Sequence, residues 1–420
     1  MRGRAWQVPE QPERLPRQTP EVPAKGKRPP RLRPLTALLA AQFFSAFADN
    51  MILFITLAII KLEGLPDHYL PLVQVAFLFA YVVLAPWVGR LADREAKSRI
   101  LLIGNGVKMA GIALLLAGVD PAISYAVVGV GAVTYSPAKY GILPELTDSE
   151  AKLLKANSLI ESFTILAILT GSVAGGILSD RSVPLALLAC AALYGTSMAL
   201  TLFIPSKAGD RTITIGLQAV PAFFSDIAQL WRLPACRFSL IGTGAFWLSS
   251  AVLRLVVIQW IPVTLAIMTN TSISLLISVT GVGIVLGAAV TPRLIRFQDY
   301  EKSRRYGVVM VAIIFTFLLI KTVPFTVAAL LAVGFSGGVF IVPMNTVLQH
   351  EGHGSIGAGK TIAIQNFVEN TLMFSGVALL TAATKAQVPL SPIIAATGVI
   401  MALFVGVLFT SYSGAARRSV

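Results

Sequence analysis

Apolar residues recur along this chain in long blocks separated by short polar stretches. The blocks fall near residues 36–60, 70–90, 100–118, 122–142, 157–179 and 183–204, and again near 238–266, 273–292, 307–323, 325–348, 361–383 and 391–412. About 20 mostly apolar residues in a helix cross a bilayer core, so the pattern predicts twelve spanning helices. A longer polar stretch separates the sixth block from the seventh. Six spans, a loop and six more spans is the layout of a repeated transporter bundle. We therefore expect an all-α membrane protein with an N-terminal half over 35–205, a linker over 206–237 and a C-terminal half over 238–413. Tails at 1–34 and 414–420 would flank the halves. Within the linker, Leu217, Val220, Phe224, Ile227 and Trp231 recur at helical spacing. They predict a helix lying in the membrane interface, started or interrupted by Pro221, with a plain connector as the alternative.

Composition supports the membrane reading. Of 420 residues, 55% are hydrophobic and only 13% charged, against roughly 25% charged in soluble domains. Cys190 and Cys236 are too few for a disulfide framework and read as inert thiols. The net charge of +14 would normally suggest a nucleic-acid partner, but its distribution says otherwise. Twenty-eight of the 34 Lys and Arg residues fall in the N-terminal tail, in the even-numbered junctions or at the C-terminus. The odd-numbered junctions hold only Lys61, Arg181, Lys321 and Lys385. That asymmetry predicts cytoplasmic termini and explains the basic charge without nucleic acid. The Pro- and Arg-rich segment 1–34 has no apolar core of a secretory signal. It reads as a disordered tail, either resting on anionic lipid or simply solvated.

Several spans carry polar residues that lipid alone would disfavour. FFSAFADNMILF, residues 43–54, places Asp49 and Asn50 mid-span, where an Asp costs about 2.5–3.5 kcal/mol on insertion scales. Gln42, Ser45 and Asp49 share one helix face, as do Trp247, Ser250 and Arg254 in the seventh span. Laying FFSAFADNMIL against FWLSSAVLRLV brings Asp49 and Arg254 to nearby positions of related helices. We expect them to face each other across a central cavity, or to form a structural charge pair between the halves. AIQNFVENTL puts Gln365, Asn366, Glu369 and Asn370 on one face, and Asn157 and Glu161 lie four apart in the fifth span. Such clusters either hold helices together by hydrogen bonds or line a polar path. Lys108, near the cytoplasmic end of span three, either snorkels to water or belongs to the working polar set. GVGIVLG and GSVAGG read as packing glycines and not as nucleotide loops.

The loop GRLADREAKSRI follows span two. Gly89 suits a short turn, and Asp93 is expected to cap the next helix or pair with Arg94 or another arginine. It resembles the gating loop of the major facilitator superfamily, G-x-L-A-D-R-x-G-R-K, with Ala96 and Ser98 as departures. A closer resemblance is carried jointly by AQFFSAFADNMILF, GVGAVTYSPAKYGILPELT, LLKANSLIESFTILAILTGSVAGG, RFSLIGTGAFW and VPMNTVLQHEGHGSIGAGKTIAIQNFVEN. These stretches resemble the bacterial lysophospholipid transporters of that superfamily, over essentially Leu35 to Tyr412.

The resemblance implies a flippase that carries lysophosphatidylethanolamine and lysophosphatidylglycerol across the bacterial inner membrane to the cytoplasmic leaflet. A lysophospholipid acyltransferase/acyl-carrier-protein synthetase would then restore the missing chain. A headgroup phosphate wants Arg or Lys and an ammonium wants a carboxylate. The expected substrate-binding set is thus Asp49, Asn50, Arg254, Lys139, Tyr140, Glu161, Asn366 and Glu369. Asp93, Arg94, Lys108 and Glu145 form the expected gating set, and Lys139 with Glu145 could instead be a salt-bridged gate. The expected mechanism is alternating access with sideways lipid entry. No cofactor or metal is expected. No His-x4-Asp pair is present for acyl transfer, and GAGKT lacks phosphate-loop spacing, so an enzyme is not expected. A proton- or cation-coupled drug or solute antiporter of the same superfamily is the rival, with Asp49 or Glu369 as its ion site.

Overall fold

The apolar blocks fold as helices that end where the sequence changes character. The structure is a computed structural model describing residues 33–147 and 150–416. The expectations for most of the N-terminal tail, for the last four residues and for the side chains of Asn157 and Glu161 lie outside the described residues. The first helices are α1 (Pro34–Leu62), α2 (Tyr69–Arg94), α3 (Lys97–Leu116), α4 (Pro121–Gly141), a single turn α5 (Leu143–Leu146), α6 (Glu150–Arg181) and α7 (Val183–Thr201). After the linker helix α8 (Ala219–Arg232) come α9 (Pro234–Leu265), α10 (Asn270–Leu294), a 3₁₀ turn (Phe297–Ser303) and α11 (Arg304–Thr316). The chain continues through α12 (Val323–Ile356), α13 (Ala358–Lys385) and α14 (Leu390–Ala416).

Twelve of these helices lie on the twelve apolar blocks, and ten are long and apolar enough to cross a membrane. Of the other two, α11 is short at 13 residues, and α4 spans 21 residues. Large apolar side chains stand exposed on the outer faces, including Leu188 of α7 and Leu403 of α14. Water would not tolerate so much exposed apolar surface, whereas lipid does. Local signals set several ends. Asp120 accepts from the backbone N–H of Ala122 at 2.8 Å and starts α4 ahead of Pro121, and Ser182 caps α7.

Helices α1–α7 pack largely on one another, as do α9–α14, and α2 meets α13 while α6 meets α10 across the two sets. Those two contacts pair the second span of each set with the fifth span of the other. Exchanging the sets interchanges them, as a twofold-related repeat requires.

Glycines allow some of the closest approaches. On α10 Gly283 and Gly287, and on α12 Gly334 and Gly338, face the partner helix's backbone, where any Cβ would collide. The packing role expected for GVGIVLG is therefore correct, and α12 supplies a matching Gly-x-x-x-Gly.

The linker is a helix and not a plain connector. Phe223 and Phe224 of α8 meet Phe367 of α13 edge-on, with centroids 5.2 and 6.1 Å away, while Phe224 and Trp231 stay exposed. Asp226 pairs with Lys360 at 3.0 Å. Ahead of α8 the linker segment lies along the end of α2. The Asp210 N–H donates to the Asp93 carbonyl at 3.0 Å, and the Trp87 indole N–H donates to the Gly216 carbonyl at 3.2 Å. Gly209 approaches the Arg94 carbonyl so closely that a Cβ would sit 2.5 Å from it. Hydrogen bonds from the Thr212 hydroxyl and backbone N–H hold the Asp210 carboxyl below the usual carboxylate range.

Candidate functional site

The polar face of α1 does not meet α9. The Lys108 Nζ on α3 donates to Asp49 Oδ2 at 2.8 Å and to Ser45 Oγ at 3.0 Å, and the Tyr194 hydroxyl on α7 donates to Asp49 Oδ1 at 2.7 Å. The network continues from Ser45 Oγ to Asn105 Oδ1 at 2.8 Å, and from Asn105 Nδ2 to Ser197 Oγ at 2.8 Å. Ser197 donates to the Ala41 carbonyl at 2.6 Å. Lys108 is 1% exposed, with Nζ 4.8 Å from the Tyr135 ring centroid and 5.5 Å from that of Tyr194. A paired, hydrogen-bonded ammonium with aromatic faces beside it satisfies the conditions under which an ion is retained away from water.

This corrects one expectation and removes one alternative. Asp49 pairs with Lys108 and not with Arg254, and Lys108 does not snorkel to the membrane edge. The reason is the packing of α3 on α4. Gly104 and Gly131 bring the two backbones together, and a Cβ on Gly131 would lie 2.7 Å from Lys108 Cγ. With no side chain at Gly131, the lysine stem lies flat there and reaches α1. The network partners Asn105, Tyr194, Ser197 and Tyr135 were missed by sequence reasoning. A signal existed, because Asn105 and Lys108 are three apart on α3, and Tyr194 and Ser197 are three apart on α7.

Arg254 lies elsewhere in the bundle. Its Nη2 donates to Ser172 Oγ of α6 at 3.2 Å, and its guanidinium carbon is 5.9 Å from the Phe54 ring centroid. Its Nε is buried without a partner among the described residues. Phe54 is five residues beyond Asp49 on α1, about 7.5 Å along the axis at 1.5 Å per residue. Asn50 donates back to the Ala46 carbonyl of its own helix at 2.9 Å.

Further polar side chains lie on α4, α12 and α13. Lys139 is buried, with Nζ 4.3 Å from the Tyr140 ring centroid. Glu369 is 6% exposed and accepts from Gln365 Nε2 at 2.8 Å, and Gln365 also donates to Asn345 Oδ1 at 2.8 Å. Asn366 lines a small cavity of about 30 Å³ with Tyr81 of α2, Ser136 and Pro137 of α4, and Phe367. Glu161 lies on α6, and its side chain is outside the described residues.

Of the expected gating residues, Glu145 pairs with Lys97 at 2.7 Å. Asp93 caps nothing. Helix α2 runs through Arg94, which leaves Asp93 inside its last turn and exposed, and Ala96 begins α3 without a side-chain cap. The arginine partner expected for Asp93 is absent among the described residues, where Arg99 pairs with Glu95 at 3.3 Å.

At the end of the bundle opposite the linker, hydrogen bonds join the two helix sets. Asp180, at the end of α6, accepts from the Asn270 N–H at 3.1 Å and from the Thr271 N–H and hydroxyl at 2.7 Å. It thereby caps α10 from the other set. Lys61 donates to Asn270 Oδ1 at 2.6 Å, and Gln259 to the Asp67 carbonyl at 3.2 Å. Losing a helix cap costs about 0.5–2 kcal/mol, so Asp180→Ala should raise the separated population at this end by about 2- to 30-fold. A thiol placed by Ser274→Cys, at a position fully buried against Gly176, should then be alkylated correspondingly faster by an impermeant maleimide. Unchanged alkylation would show that the cap does not hold this end shut.

Known proteins resemble this chain at both levels. The model for the Major Facilitator Superfamily matches residues 38–377. A protein of Yersinia enterocolitica named Lysophospholipid transporter LplT is 42% identical over 371 residues, covering 87% of this chain and 91% of that one. The protein of the same name from Serratia proteamaculans is 42% identical over 381 residues, covering 90% and 96%. Among solved structures, the human organic anion transporter MFSD10 (TETRAN) superposes with a TM-score of 0.66 at 14% identity, covering 91% of this chain and all of that one. A point mutant of the nucleoside transporter NupG gives 0.67 at 10%, covering 90% and 99%. These two likenesses speak for the fold.

Proposed function

This chain belongs to the major facilitator superfamily and to the lysophospholipid transporters within it, and we propose that it moves lysophospholipids across the inner membrane of a bacterium. The observation that carries this reading is the 42% identity over nearly the whole of both chains to relatives named for that substrate. In this reading the basic ends of the helices face the cytoplasm, as the charge asymmetry favours. Two halves of six spans each, α1–α7 with its single turn α5 and α9–α14, rock against each other around the bundle axis. The hydrogen bonds of Asp180, Lys61 and Gln259 close the outer end, and lipid enters sideways between helices. Delivery to the cytoplasmic leaflet would serve an acyltransferase/acyl-carrier-protein synthetase that restores the second chain.

The substrate carries a phosphate, one acyl chain and, in the ethanolamine form, an ammonium. Arg254 has a buried Nε without a partner among the described residues and an aromatic face at its side, which suits a phosphate oxygen. Asn366 lines the α2–α4–α13 cavity, and Glu369 on α13 and Lys139 with Tyr140 on α4 offer both signs on two of its helices. The Asp49–Lys108 pair is already satisfied internally. Its part is to hold α1, α3 and α7 together until substrate or a conformational change competes for one partner.

Proteoliposomes loaded with labelled lysophosphatidylethanolamine test the reading directly. Intact protein should carry the label between leaflets, and Arg254→Gln should reduce the rate at least tenfold while the folded fraction holds. Failure of well-folded intact protein to move any lysolipid would reject the substrate. It would favour the ion-coupled antiporter, for which the half-buried carboxylate of Asp49 is the natural ion site.

A further inference from the structure

A cavity of about 210 Å³ lies on the outer flank of the second helix set, at the basic end, well away from the polar networks above. It is lined by Leu294 and Ile295 from the end of α10, Lys302 from the 3₁₀ turn, and Arg305, Tyr306 and Val309 from the start of α11. Nothing in the transport reading uses these residues.

The faces of α11 show what the cavity opens onto. Gly307, Met310, Ile314 and Phe317 are buried, and Gly307 rests on Val405 of α14 and Phe340 of α12. On the opposite side Arg305, Val308, Val309, Ala312 and Thr316 form an exposed stripe. In a membrane protein an exposed apolar stripe on a helix of the bundle faces lipid. Arg305 stands at its basic-side end, and Leu294 and Phe297, both nearly half exposed, continue the apolar surface beside it. The cavity therefore meets the bilayer at the level where acyl chains give way to headgroups.

Its polar groups are donors. Among the described residues none pairs with the Arg305 guanidinium, and Lys302 makes one exposed ion pair, with Asp299 at 3.0 Å. Residues 293–305 carry Arg293, Arg296, Lys302, Arg304 and Arg305 against only Asp299 and Glu301. A guanidinium, an ammonium and a phenol around one cavity match the oxygens of a phosphodiester, and basic pockets between helices at the cytoplasmic side of membranes bind anionic headgroups.

We infer that this cavity binds an intact anionic phospholipid of the cytoplasmic leaflet. Its phosphodiester lies against Lys302, Arg305 and Tyr306, and its acyl chains run along Leu294, Val308 and Val309. The bound molecule is a boundary lipid and not cargo. It holds the end of α10 against the start of α11.

The purified full chain in detergent tests this by native mass spectrometry and thermal unfolding. Equal concentrations of phosphatidylglycerol and phosphatidylcholine are added, with inorganic phosphate as a separate arm. The intact protein should retain at least tenfold more phosphatidylglycerol than phosphatidylcholine and should unfold at a higher temperature with it, while inorganic phosphate should give no protection. The Lys302→Gln/Arg305→Gln variant should keep its lipid-free unfolding temperature, since both side chains are exposed, and lose the preference. An unchanged preference in that variant would place the anionic lipid elsewhere and overturn the assignment. Equal protection by inorganic phosphate would overturn it as well, because the site would then recognise a free anion.

Discussion

Lys108→Met alone should lower stability by about 1–3 kcal/mol, because it leaves the half-buried Asp49 carboxylate beside Tyr194 without its charge partner. Adding Asp49→Asn to that variant should recover most of the loss, since replacing a whole buried ion pair by neutral groups is often neutral or stabilising. Unfolding midpoints of the intact protein, the two single variants and the double variant in detergent form a complete thermodynamic cycle. A double variant no more stable than Lys108→Met would mean that the pair is not the unit of stability. The same proteins separate structure from transport. If the pair takes part in the conformational cycle, the refolded double variant should transport lysophospholipid at least tenfold more slowly than the intact protein. Full transport by the double variant would reduce the pair to a brace between α1 and α3.

Gly287→Leu should be as damaging, by a different route. Its Cβ would lie 2.1 Å from the Phe335 carbonyl oxygen, and the facing Gly334 and Gly338 leave α12 no slack. Overpacking usually costs about 1–3 kcal/mol. Here the obstacle is backbone, which cannot rotate aside, so the cost should reach the upper end of that range, about 3 kcal/mol or more, or the α10–α12 contact should be lost altogether. Gly406→Leu on α14 is the control, because a Cβ there meets nothing within 4 Å. Comparing the folded yield and unfolding midpoint of the two variants tests the claim. Equal behaviour would show that the close approach of α10 and α12 is not needed.

The positions of the spans were legible because each reports a local property. A run of about 20 apolar residues crosses a membrane whatever its neighbours do, and helix ends followed caps and prolines such as Asp120 and Pro121. That Asp49 needs a partner was legible for the same reason, since an acid inside an apolar span is costly wherever the helix packs. Its partner was not. Lys108 is 59 residues away in the chain, and an apparent repeat made Arg254 look like the counter-charge. The repeat aligned helices α1 and α9 correctly as first members of their sets. Within each set, however, the neighbours of α1 compete for the same carboxylate, and α3 and α7 are nearer than α9.

The same division runs through the rest of the molecule. Sequence alone determined that the protein spans a membrane, that its spans fall in two sets joined by a longer polar linker, and which superfamily its motifs match. Those properties depend on composition and on spacing of a few residues. Only the tertiary structure decided which charges meet. The missing side chain at Gly131 admits Lys108 to α1, α2 extends far enough to leave Asp93 without a cap to make, and Asp180 reaches the first N–H groups of α10 from the other helix set. Each of these depends on backbones brought within a few ångströms by packing, a distance that no local pattern in the chain encodes.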